Sequence, residues 1–195
     1  APSDARGGQI LADITKDRRI KSVAITYTNN DYGKGLADVY EAAVKAHGIK
    51  VTTVSAHEDG KADYSSEVAT LAAAGGDAVA VIGYLDQGGK GIIQGSLDSG
   101  AFDKFILSDG MIGDSLTDAF GKDLNKSFGS MPGSMNKKTA GTFASVAKAA
   151  GIDSSGPYTG ESYDAGALIV LAMQAGGSAD RASIAKNVMD VANGP

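Results

Sequence analysis

The chain has 195 residues, 43% hydrophobic and 21% charged, with a formal net charge of -5. That suffices for one large or two small globular domains with proper cores. It has no cysteine and no tryptophan, so disulfides, thiolate nucleophiles and thiolate metal sites are excluded. An acidic balance without a run of Lys or Arg argues against nucleic acid and anionic membrane as partners. No stretch approaches the roughly 18 apolar residues of a membrane span, so no direct membrane insertion is expected.

Asp4 to Lys16 reads as an opening helix, capped by Ser3 or Asp4, with Ile10, Leu11 and Ile14 as its apolar stripe. Ser22 to Gly48 then reads as strand, sharp polar loop and amphipathic helix. Val23, Ile25 and Tyr27 alternate with small residues, and Asn30 or Asp31 is placed to accept the first helical N–H groups. Leu36, Val39, Tyr40, Ala43, Val44 and His47 recur at helical spacing, and Gly48 suits a left-handed stop. Lys50 to Ala56 alternates as a strand. The segment HEDGKAD reads as a solvated loop before a helix from Tyr64 to Ala74, capped by Asp63. Ala78 to Gly83 is a continuous apolar run, the pattern of a strand covered on both faces.

After the loop Tyr84-Leu85-Asp86-Gln87, a helix is expected from about Gly88 to Asp98, with Ile92, Ile93 and Leu97 inward. Lys104 to Ser108 reads as the fourth strand, Ser115 to Phe120 as a short helix and Ser127 to Met131 as the fifth strand. This alternation implies repeated βαβ crossovers: an α/β fold with a doubly wound parallel sheet of about five strands, helices on both faces. At Pro132 the pattern changes. Thr139 to Ala150, Gly160 to Gly176 and Asp180 to Ala192 are three helices without a convincing strand. They suit either a small bundle or half of a second α/β domain whose sheet lies elsewhere.

Signatures of catalysis are missing: there is no G-x-S-x-G, no phosphate loop and no H-E-x-x-H. Gly33-Lys34-Gly35 lacks the third glycine of a dinucleotide fingerprint, and Gly88-Gly89-Lys90-Gly91 resembles a phosphate loop by composition only. His57-Glu58-Asp59 is consecutive on an extended loop, so its side chains would not converge on one metal ion. No enzyme activity, cofactor or metal is expected. The strand C-termini instead present acids and aromatics: Asp31 and Tyr32, Tyr84 and Asp86, then Asp109. A carboxylate among tyrosine rings attracts an ammonium group through charge, hydrogen bonds and cation–π contact. Asp31 reads as a helix cap. Asp109 reads as functional, because Gly110 follows it and the next helix starts several residues later. Tyr27 and Tyr40 fall on core faces.

NNDYGKGLAD after a strand, DYSSEVATLAAAGGDAVAVIGY, SDGM after the fourth strand and ESYDAGALIVLAM together resemble the branched-chain amino-acid (Leu/Ile/Val) type of periplasmic binding protein. That family serves ABC importers and has the type I fold of two hinged α/β lobes. The resemblance implies that residues 1–132 are a complete second lobe. Residues 133–195 are then a helical segment of the first lobe, whose sheet is missing, so that both chain ends look cut. By the same resemblance the ligand site holds Tyr32, Tyr84 and Leu85, Asp109 for the α-ammonium, and Tyr158 near the ligand side chain.

The implied function is capture of an amino acid without chemistry, and its delivery to an ABC permease in the membrane from the periplasm. APSDARGG is not itself a signal peptide, so an export signal would have been removed. A sensory module binding an amide or amino acid on the same fold is the alternative. A nucleotide-dependent enzyme is a third, disfavoured by the missing phosphate loop. Uncovered helices should expose apolar surface, through which self-association is expected.

Overall fold

The computed structural model describes residues 3–133, 137–154 and 158–194. Ala1, Pro2 and Pro195, which belong to the segments read as cut ends, lie outside the described residues. The chain divides into two compact units, 2–132 and 133–195.

The first unit runs α1 (Asp4–Asp17), β1 (Ser22–Thr28), α2 (Asp31–Ala46), β2 (Lys50–His57), α3 (Ser65–Ala74) and β3 (Ala78–Ile82). It continues through α4 (Lys90–Asp98), β4 (Phe105–Leu107), α5 (Asp114–Phe120) and β5 (Phe128–Gly129). All four strand pairs are parallel, in the order β2-β1-β3-β4-β5. The central strand β3 shows why helices cover both faces. Ala78, Ala80 and Ile82 point to one side, where Leu11 of α1 and Leu36, Tyr40 and Val44 of α2 pack. Val79 and Val81 point to the other, against Leu71 of α3, Ile92 and Ile93 of α4, and Leu116 and Phe120 of α5. Side chains of period two on one strand therefore feed two separate cores.

Three local expectations need correcting. Of the loop expected at residues 84–87, only Tyr84 is loop: Leu85–Gly89 is a π-helical turn that runs directly into α4. Strand β5 is short: it pairs only Phe128 and Gly129 with β4. And β2 extends through His57, which pairs with Thr28 and is buried rather than solvated. Its ring lies under the edge of Tyr64, centroids 6.3 Å apart, and its Nδ1 is 2.9 Å from Thr26 Oγ1.

In the second unit, α6 (Lys137–Ala149), α7 (Thr159–Gly176) and α8 (Arg181–Asn193) form, with no strand among the described residues. Gly177 closes α7 in the left-handed conformation. Helices α7 and α8 approach closely at Gly176, where a Cβ would stand 2.2 Å from Ser183 Oγ. Phe143 of α6 meets Tyr163 of α7 with ring centroids 5.4 Å apart.

Candidate ligand-binding site

The strand order turns back between β1 and β3, and in open α/β sheets the crevice at the strand C-termini beside such a switch point is where ligands bind. Tyr32 leaves β1 in the first turn of α2. Asn30, not Asp31, caps that helix: its Oδ1 accepts the Gly33 N–H at 2.9 Å, and Asp31 is exposed. A Cβ at Gly33 would lie 2.2 Å from the Thr28 carbonyl oxygen, so glycine lets α2 start hard against the end of β1. Tyr84, just past β3, stacks on Tyr32 with centroids 5.3 Å apart and 29° between the planes. The Tyr32 hydroxyl donates to Asp109 Oδ1 at 2.6 Å, and the Gly110 N–H donates to the same oxygen at 2.9 Å.

Two aromatic rings and one carboxylate from three strand ends thus form one group. Burial, aided by the Asp109 carboxylate, holds the Tyr32 phenol well above its ordinary pKa, so it keeps its proton at physiological pH. A cavity of about 110 Å³ opens beside Asp109, bordered by Ser3, Arg6, Ile10, Leu36 and Met131.

Leu85 is buried in the second core, packed with Met111 and Leu116. Asp86 is exposed and pairs with Lys90 one turn along at 2.6 Å. Tyr158 precedes α7 in the helical unit, with a left-handed φ of 62°. Tyr40 is fully buried, its hydroxyl 3.0 Å from Thr15 Oγ1, and His47 Nε2 lies 2.7 Å from Asp13 Oδ1 on α1. The glycine run has a packing cause: a Cβ at Gly88 or Gly91 would strike Tyr64, and one at Gly89 would strike Met111. Among the described residues no group of three or more His, Cys, Asp or Glu side chains is placed to hold a metal ion.

Two further residues belong to the site, Ser108 and Gly110, the second named in the sequence only as the neighbour that marks Asp109. Ser108, at the end of β4, lies with its Oγ 3.3 Å from the Tyr32 hydroxyl and accepts the Gly83 N–H at 3.2 Å. At Gly110 a Cβ would stand 2.4 Å from the Gly83 carbonyl oxygen, so only glycine lets the Asp109 loop lie against the end of β3. The dipeptides Ser108-Asp109 and Asp109-Gly110 were the available signals.

A family model described as periplasmic binding protein matches residues 2–192. The chain belongs to that family. It is a family of substrate-binding proteins, not enzymes. Leu/Ile/Val-binding protein homolog 1 of Brucella melitensis is 29% identical over 180 residues, 92% of this chain and 47% of that protein. Homolog 3 from the same organism is 34% identical over 87 residues, 44% of this chain and 24% of that protein. A leucine-binding protein of Thermotoga maritima aligns over 95% of this chain and 54% of its own, with TM-score 0.75 and 21% identity. A branched-chain amino-acid transporter substrate-binding protein of Streptococcus pneumoniae, in complex with isoleucine, aligns over 95% and 53%, with TM-score 0.72 and 18% identity. These structures share the α/β type I periplasmic-binding fold with this chain. The chain spans about half the length, or less, of these relatives.

Proposed function

We propose that this chain is part of an extracytoplasmic amino-acid-binding protein of an ABC importer, with a branched-chain or related amino acid as ligand. Residues 1–132 form one complete lobe of two, and residues 133–195 belong to the other. The observation that carries the reading is Asp109, held by Tyr32 and Gly110 beside stacked tyrosines at the strand ends. A half-buried carboxylate beside two tyrosine rings is suited to an α-ammonium. The adjoining Ile10, Leu36 and Met131 offer apolar surface to an aliphatic side chain.

Groups for the ligand carboxylate would come from the remainder of the other lobe. Closure of two hinged lobes over the ligand, favoured because the closed state binds it more tightly, then produces the form that a membrane permease recognises. Tyr158 is a further candidate contact on the family resemblance alone. Leu85, buried in one cluster with Met111, backs the Asp109 loop from the core side.

The test is calorimetric titration of the full-length protein with leucine, isoleucine, valine and their deaminated analogues. The amino acids should bind and the analogues lacking the amine should not. Asp109→Ala should lower affinity by a factor of about 30 or more, the usual cost of removing one side of a hydrogen-bonded charge pair. Equal binding of amino and deaminated compounds would overturn the assignment of Asp109.

A further inference from the structure

The Tyr32 hydroxyl has one proton and two acceptors within hydrogen-bond range: Asp109 Oδ1 at 2.6 Å and Ser108 Oγ at 3.3 Å. The nearer, a carboxylate oxygen, is the stronger acceptor. Ser108 is only 2% exposed, and its Oγ is itself anchored by the Gly83 N–H. That amide lies beyond the last β3–β4 pair, Val81 with Leu107, so the serine side chain extends the link between these strands past the ladder. The Tyr32 ring is held against Tyr84, while the hydroxyl can change acceptor by rotating about its C–O bond, without the ring leaving its place.

An ammonium arriving at Asp109 competes with the phenol for the carboxylate, and a charged donor forms the stronger hydrogen bond. A half-buried phenol left without an acceptor would oppose binding. We propose that Ser108 is the alternate acceptor: when a ligand ammonium takes Asp109 Oδ1, the Tyr32 proton turns to Ser108 Oγ. Ser108, which borders the same cavity as Asp109, is then a positioning residue that acts on the ligand through Tyr32. This inference rests on Asp109 being the ammonium site proposed above.

A double-mutant cycle on the full-length protein tests it. Wild type, Ser108→Ala, Tyr32→Phe and the double variant are titrated with the same amino acid by calorimetry, with unfolding midpoints recorded as a check on folding. Ser108→Ala alone should weaken binding about tenfold, the scale of one unmade hydrogen bond. In the Tyr32→Phe background, where no hydroxyl needs an acceptor, it should change affinity less than about twofold. The same loss in both backgrounds would mean a merely structural role and would overturn the proposal, as would no loss in wild type. Should Ser108→Ala not fold, Ser108→Cys takes its place in the cycle, since it keeps the size and weakens the acceptor. A wild type that binds none of the amino acids overturns the ligand reading itself, whereas binding without coupling overturns only the role of Ser108.

Discussion

The two units bury their apolar side chains to very different degrees. In residues 3–132, Val23, Ile25, Ile82, Phe105 and Ile106 are fully enclosed, because a parallel sheet offers two faces and helices close both. In the helical unit, Ala147 and Ala172 are the buried hydrophobic residues among those described, while Val170 is 62% and Met189 64% exposed. Helices with apolar surface on several sides need a partner wider than another helix. A sheet is such a partner, and the same kinds of residue differ in energetic weight according to whether one is present.

The comparison is sharpest at Phe105. Phe105→Ala should destabilise the chain by about 3–5 kcal/mol in denaturant unfolding, the usual cost of a cavity in a closed core. A loss under 1 kcal/mol would show that the sheet unit is no better packed than the helices. Next in size, Gly110→Ala forces a methyl group against the Gly83 carbonyl oxygen and should cost about 1–3 kcal/mol, read as a shift of the unfolding midpoint. It should also displace Asp109 and weaken ligand binding. Unchanged stability and affinity together would mean that the close contact at the strand ends is not rigid.

His57 supplies a pH-dependent test confined to the sheet unit. Burial pushes its imidazole below the ordinary value, despite the neighbouring Asp59, Glu67 and Glu58 carboxylates that pull it upward. The neutral ring is therefore favoured in the folded state. Its contribution is fully present above the unfolded value of about 6.5, and is lost as pH falls through that value toward the folded pKa, because only the unfolded chain gains the proton. Unfolding midpoints measured from pH 8 to 5 should fall in wild type and flatten in His57→Gln. Parallel curves for the two proteins would remove His57 from the acid response.

The smallest effect belongs to the helices. Val170→Ala should change stability by no more than about 0.5 kcal/mol either way, as for other exposed positions. A cost approaching that of Phe105→Ala would break the comparison, because it would mean that this face of α7 is covered.

The local sequence determined much of this protein. Strand and helix order in residues 3–132 follows from period-two and helical spacings. The unbroken run AVAVI announces a strand covered on both faces, and the polar loop after β1 announces a capped helix start. These signals act over a few residues, so they are readable without knowing the fold. Asp109 and Tyr32 were likewise visible as single residues on strand ends, but their union was not. Their hydrogen bond spans 77 positions, and it depends on the strand order that brings the ends of β1, β3 and β4 side by side. The same holds for His57, whose polar neighbours read as a loop until Tyr64 folds over it, and for Leu85, turned into the core by a π-helical turn. Ser108 looked like the last residue of a strand. Only the tertiary structure made it a junction, because a hydrogen bond depends on where atoms meet in space and not on their separation along the chain.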